Sequence, residues 1–198
     1  MTSKDITGIF QDYPTLKYYK MHEDVSDPVK ATEGSACFDI HAYFSENNRI
    51  VIGQVPPKVT VYTMENKKEV RECKCWARDN SSFSVGIDLL PAERILIPTG
   101  LIFDIPENYS IRIHARSSVS LKKGLIIPNG EGIIDSDYYH QTYIMLLNGS
   151  ADEIRIYHGD RIAQAELIKT LYHDFQETKE IPEQKTSRVG GFGSTGVR

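Results

Sequence analysis

An arginine beside two hydroxyls, Arg116-Ser117-Ser118, closes the alternating run Ser110-Ile111-Arg112-Ile113-His114. At a strand end such a trio offers a fork of charged donors, two hydroxyl donors and backbone N–H groups, which is the chemistry of a phosphate grip. The same Ser-Ser pair would also cap a turn. Further on, the acids Asp135 and Asp137 and the ring of Tyr138 follow the glycine-rich turn Pro128-Asn129-Gly130-Glu131 and the short run Gly132-Ile133-Ile134. Their crowding reads as a site, although a strand that simply ends on Asp and Tyr has the same text. Asp39 lies within Gly34-Ser35-Ala36-Cys37-Phe38-Asp39-Ile40-His41-Ala42, a small and apolar setting in which a carboxylate needs a partner. It could orient the waters of a metal bound to phosphates, or cap a turn.

The elements that must position these residues are strands. The apolar runs Leu125-Ile126-Ile127 and Tyr143-Ile144-Met145-Leu146-Leu147 flank the glycine turn, so a β-hairpin with glycines at its tip is expected. Strand alternation would place Asp135 and Asp137 on one face and Tyr138 on the other. Leu16 to Lys20 predicts a first strand, broken at Asp27-Pro28. Short strands punctuated by Pro and Gly continue to about residue 170, which predicts an all-β barrel or jelly roll rather than βαβ units. Lys122 and Lys123 could start one helical turn.

Between about residues 46 and 84 the text changes character. Arg49 to Ile52, Lys58 to Thr63 and Glu69 to Trp76 read as strands of a β-rich insertion, separated by Pro56-Pro57 and a polar run. Cys73 and Cys75, two apart, would share one strand face; with Cys37 or a histidine they could in principle hold zinc, but the spacing suits buried small hydrophobes better. Trp76 is expected as a core anchor of the insertion. In His158-Gly159-Asp160-Arg161-Ile162-Ala163-Gln164, a structural turn with an Asp–Arg pair is expected, leaving Gln164 for a site. The division expected is a β domain over residues 1–176 and a flexible arm over 177–198, ending in Gly190-Gly191-Phe192-Gly193-Ser194-Thr195-Gly196.

With 198 residues, 40% hydrophobic and 25% charged, the chain has enough apolar material for one globular domain with a real core. A formal charge of −4 argues against a protein that coats nucleic acid, while leaving room for local cations that bind a phosphorylated small molecule. No apolar run approaches a membrane span, and there is no hydrophobic core of a signal peptide. Three cysteines are too few for a disulfide framework. A cytoplasmic location is expected, or host cytoplasm if the source is viral.

The stretches around Asp39, Arg116, Asp135, Gln164 and Phe192, in that order, resemble the five motifs of the trimeric dUTP pyrophosphatases (dUTPases), over most of the chain from about Lys17 to Gly196 apart from the insertion. That resemblance implies a jelly-roll fold, a homotrimer with active sites shared between subunits, and Mg²⁺-dependent hydrolysis of dUTP to dUMP and pyrophosphate. It implies Asp135 as the base that activates water and Tyr138 as the platform beneath the deoxyribose. Asn129, Gly132 and Ile134 would read the uracil, and Arg116, Ser117, Ser118 and Gln164 would hold phosphates. Asp39 would stand in the outer shell of Mg²⁺, through water. The arm would place Phe192 over the base and bring Arg188, Ser194 and Thr195 to the γ-phosphate, with Gly193 also in the substrate-binding tail.

The departures from the family pattern are specific. The tail runs Arg188-Val189-Gly190-Gly191-Phe192, one residue short of the usual spacing; Ala115 replaces a frequent proline and His140 a frequent glycine. His140 is expected as a surface side chain at a bend, with a contact to the site as the alternative. Two other functions compete: the related dCTP deaminases, and a regulatory protein that docks a partner through edge strands of the insertion.

Overall fold

Where apolar residues recur at every second position a strand buries one face and leaves the other to solvent, and that alternation decides which side chains meet. The computed structural model describes residues 13–44, 58–77, 83–187 and 190. The first strands are β1 (Lys17–Lys20), β2 (Val29–Lys30), β3 (Phe38–His41), β4 (Lys58–Tyr62), β5 (Lys68–Glu72), β6 (Lys74–Ala77) and β7 (Phe83–Leu89). After them come β8 (Arg94–Pro98), β9 (Leu101–Asp104), β10 (Tyr109–His114) and the helix α1 (Ser117–Lys123). The chain continues through β11 (Leu125–Ile126), β12 (Gly132–Ile134), β13 (Tyr143–Asn148), β14 (Ile154–Tyr157) and β15 (Arg161–Lys169).

Two five-stranded sheets, β12-β10-β15-β3-β2 and β11-β13-β8-β4-β5, carry the fold, with the smaller sheets β14-β7-β6 and β1-β9. Ile111 and Ile113 of one large sheet and Ile95, Ile97, Ile144 and Leu146 of the other belong to a single buried cluster. Burying each such side chain contributes about 1.5–3 kcal/mol. Among the described residues every strand pairing is antiparallel, and the all-β architecture expected from the strand spacing is the one observed.

Residues 58–77, expected as part of an insertion, are woven into these sheets. β4 pairs with β8 in the register Thr60↔Leu96 and Val61↔Ile95, and β6 pairs with β7. Val59 and Val61 are buried in the common core. Arg71 on the edge strand β5 clamps buried Glu93 at 2.7 and 2.8 Å, and Glu93 also accepts the Leu90 N–H at 2.8 Å. This geometry pulls the Glu93 carboxyl below its usual range, the Arg71 hydrogen bond being the first cause, and raises the Arg71 guanidinium.

Four local expectations are corrected. The run Glu69 to Trp76 is two strands, because the chain leaves one sheet for another at Cys73. Cys73 is therefore buried, its thiol pushed up to about 12 by desolvation, while Cys75 is exposed, so the two share no face. Trp76 is half-buried rather than a core anchor: Arg155 stacks over its ring at 4.0 Å and Tyr157 meets it edge-on. Lys122 and Lys123 end α1 rather than begin it, where the helix dipole favours cations, and Gly124 closes the helix in the left-handed conformation at φ 71°.

Candidate functional site

The two apolar runs expected as a hairpin do pair, β11 with β13 in the register Leu125↔Asn148 and Ile126↔Leu147. The stretch between them is more than a tip: β12 pairs with β10, so the strands on either side of the glycine turn, β11 and β12, lie in opposite large sheets. The turn, with Gly130 at φ +78° and its N–H donated to Ile127 O, is an arch between the sheets. Gly132 begins β12 directly against Ile113; a Cβ there would stand 3.1 Å from the Ile113 Cβ. The splayed strand ends leave a cavity of about 240 Å³, lined by Asn129, Gly132, Ile134, Asp135 and Tyr138 together with Tyr143 and Met145.

β12 stops at Ile134, and Asp135 to Tyr138 forms a turn in which the Tyr138 N–H donates to Asp135 O at 3.1 Å. Strand alternation therefore does not apply, and Asp135 and Tyr138 line the same cavity while Asp137 is not among its lining residues. The Tyr138 hydroxyl donates to Gln141 O at 3.0 Å, and His140 packs edge-to-face on its ring at 5.7 Å. His140, expected as a bystander, is thus exposed and also braces Tyr138. Asp135 is exposed to solvent.

A second constellation forms at the other end of β10. Asp39 on β3 stands beside Gln164 on β15. Its carboxylate accepts from Arg116 Nε at 2.9 Å and from Arg161 Nη1 at 3.2 Å. Arg116 also reaches Arg161 O, and Gln164 Nε2 donates to Ala115 O at 3.3 Å. Asp39, Arg116, Gln164 and Cys37 line a cavity of about 300 Å³. Burial pushes the Cys37 thiol up, while burial first and then the two guanidiniums push His41 down. Ser117 and Ser118 open α1 as exposed residues, in the first turn, where N–H groups have no partner within the helix.

Arg161 is the site residue that the sequence hides. Asp160 accepts the Tyr157 N–H and lies 3.9 Å from Lys123, while Arg161, expected to pair within the turn, reaches across to Asp39. A bulge between Arg161 and Ala163 sets Arg161 opposite His41 and Gln164 opposite Asp39. His41 and Asp39 are two apart on β3, so Arg161 and Gln164 share a face despite their odd spacing. Only the unpaired residue of the bulge, invisible to a count by twos, could have signalled it.

The two constellations do not meet within one chain. Ile134 faces Ile111, so Asp135 lies one step beyond, level with Ser110, whereas Arg116 is six residues further along the same line. At about 3.3 Å per residue the separation is roughly 20 Å. Arg188, Phe192, Gly193, Ser194 and Thr195 lie outside the described residues.

The fold and these cavities define a small all-β protein with a cavity lined by Arg116 apart from an aromatic-walled one. The family model described as dUTPase matches residues 83–196, and the chain belongs to the dUTPase family. It is 44% identical over 112 residues to the deoxyuridine 5'-triphosphate nucleotidohydrolase of Brucella melitensis, covering 56% of this chain and 70% of that protein. It is 36% identical over 140 residues to the enzyme of the same name from a Hydrogenobaculum species, covering 66% of this chain and 96% of that one. Among solved structures, the Staphylococcus bacteriophage 80alpha dUTPase with dUpNHpp superposes with TM-score 0.64 at 20% identity, covering 93% of this chain and all of that one. The dUTPase of phage phi11 of S. aureus, described with a structural Mg(II) ion, gives TM-score 0.60 at 18% identity, with 86% and 100% covered. These structural likenesses show that the fold is the dUTPase jelly roll.

Proposed function

We propose that this chain hydrolyses dUTP to dUMP and pyrophosphate in a homotrimer, each site combining the Asp135 half of one copy with the Arg116 half of another. The observation that carries the reading is the register of β12 on β10, which sets the two half-sites at opposite ends of β10, roughly 20 Å apart at the rise of a strand. Neither half holds both a base and a phosphate grip, so a second copy must supply the complement. The stretch after β15 supports an arm to a further copy: residues 170–187 run without helix or strand, and Phe175 and Ile181 are 93% and 95% exposed in the single chain. The tail residues Arg188, Phe192, Gly193, Ser194 and Thr195 would complete the site from that arm.

Within such a site Tyr138, fixed by Gln141 and His140, gives the deoxyribose a flat support that leaves no room for a ribose 2′-OH. Asn129, Gly132 and Ile134 surround the uracil, where buried polar groups discriminate better than apolar contact. Asp135 takes the proton of a water as its oxygen bonds to the α-phosphorus. The bond from that phosphorus to the bridging oxygen breaks, and pyrophosphate leaves with the electron pair. Arg116, Ser117, Ser118 and Gln164 hold the phosphate chain, and Arg161 holds Asp39 in place.

The residues fit a magnesium ion carried on the phosphates rather than one held by protein. Among the described residues no three of His, Cys, Asp and Glu gather as a metal site, and both Asp39 oxygens already accept from guanidiniums. Asp39 would contact its water shell, the usual arrangement for an ion that dehydrates reluctantly. When bound, the ion supplies charge neutralisation at the phosphate oxygens. A dNTP panel assayed for pyrophosphate with and without Mg²⁺ tests the reading: dUTP should be turned over far faster than dCTP, dTTP or UTP. Release of ammonia from dCTP would replace the hydrolase reading with a deaminase.

A second role, docking a protein partner along residues 58–77, has support in β5, the edge of its sheet among the described residues, where Val70 is 64% exposed. Deleting the whole insertion would remove the core residues Val59 and Val61, so the discriminating variant is Val70→Lys. Unchanged binding of every partner by that variant would argue against docking at this edge.

A further inference from the structure

Three side chains that the proposed reaction does not use meet on the outer face of β10. Arg112 and His114 lie two apart on that strand, and Glu166 stands opposite Arg112 on β15. His114 Nε2 is 3.1 Å from Glu166 Oε1, which fixes the ring against the sheet. The carboxylate of Glu131 reaches the same face from the glycine arch: Arg112 Nη1 donates to its Oε2 at 3.4 Å, and His114 Nδ1 stands 3.8 Å from its Oε1. Glu131 directly precedes Gly132, which pairs with Ile113, so the register brings Glu131 level with His114. At the other end of the arch the Gly130 N–H donates to Ile127 O at 3.0 Å. Asn129 and Gly132 line the aromatic-walled cavity, while Glu131 is not among its lining residues.

We propose that Glu131 is a positioning residue: held from β10 by Arg112 and His114, it fixes the arch so that Asn129 and Gly132 present a rigid wall to the 5-position of the bound pyrimidine. The proposal rests on the dUTPase reading for the identity of that pyrimidine. Thymine differs from uracil by one methyl group, a small difference that apolar contact alone discriminates poorly. A wall excludes that methyl only where it does not yield. Residues 127–131 belong to no strand, and Gly130 stands at φ +78°, so strand pairing does not stiffen the tip of the arch. β10 is bonded on both sides, to β12 and to β15, and the Glu131 contacts pass that rigidity to the arch.

The test compares kcat and KM for dUTP and dTTP in the wild-type chain, Glu131→Ala, Arg112→Ala and the double variant, and follows amide hydrogen exchange over residues 127–134 by mass spectrometry. In Glu131→Ala the ratio of kcat/KM for dUTP to that for dTTP is expected to fall roughly two- to tenfold, the reach of one or two partly exposed ion pairs, with kcat for dUTP kept within twofold. Glu131→Gln, which keeps an acceptor but no charge, should lie between wild type and Glu131→Ala. Exchange over 127–134 should quicken while that of β13 holds its rate, a pattern that general destabilisation does not give. The double variant should be no worse than either single change, because both break one contact. Three results would overturn the proposal: wild-type selectivity in Glu131→Ala, unchanged exchange over 127–134, or additive losses in the double variant. If the wild-type chain fails to hydrolyse dUTP, the functional reading falls, while the exchange rates still decide whether Glu131 holds the arch.

Discussion

Tyr138 donates its N–H to Asp135 O and meets the His140 ring edge-on, so changes at Asp135 and at His140 are expected to read out differently. Asp135→Asn keeps the shape of the turn but cannot take a proton, so turnover should drop by roughly 10²–10⁴-fold, the usual span for a general base. Affinity for a non-hydrolysable α,β-imido analogue of dUTP should hold, measured by calorimetry beside pyrophosphate release; full activity would remove Asp135 from its role. His140→Ala deletes the ring that packs on Tyr138 at 5.7 Å. An aromatic contact contributes about 0.5–1.5 kcal/mol, so steady-state kinetics should show KM for dUTP rising roughly two- to tenfold with little change in kcat. A fall in kcat alone would instead make His140 part of the chemistry. The contact could not be inferred from the sequence, because it depends on how the turn from 135 to 138 folds back.

At the scale of elements, β5 is tied to the turn before β8 by Arg71 and Glu93. Removing one member leaves the other charge buried without its partner: Arg71→Ala should cost about 3–5 kcal/mol of unfolding free energy, read by urea denaturation. The double change Arg71→Met/Glu93→Leu should recover most of that loss, since a well-packed apolar pair avoids the desolvation penalty. The pair also sets a pH dependence. Glu93 is held below its usual carboxylate range by Arg71, so the native state binds fewer protons than the unfolded one in that window. Its contribution is full above the unfolded value and is lost as pH falls through the folded one. The acid limb of the unfolding midpoint should therefore flatten in the double variant, and an unchanged limb would show that other carboxylates control it. Alternation in the sequence predicted strands at β4 and in the run that became β5 and β6. It could not show the change of sheet at Cys73, which follows from where each strand finds a partner.

For the molecule as a whole, the distance between the half-sites makes subunit exchange decisive. Chains carrying Asp135→Asn and chains carrying Arg116→Ala should each be inactive, yet an equal mixture refolded together should recover about a quarter of wild-type activity, because some interfaces then unite two intact halves. A site contained within one chain would give no recovery, and analytical ultracentrifugation of the mixture checks that three copies assemble.

The sequence by itself determined the family and the all-β character, because residue type and order carry those directly. It also placed Asn129, Gly132, Ile134, Asp135 and Tyr138 close together in the chain, and the cavity between the sheets gathers those five. Tertiary structure alone decided that the glycine turn bridges two sheets, since β11 and β12 each bond to a different neighbour. It also decided that Arg161 faces Asp39, because a bulge of one residue reverses the side on which a strand residue points. Pairing partners and bulges are set by long-range packing, which spacing along a chain does not encode.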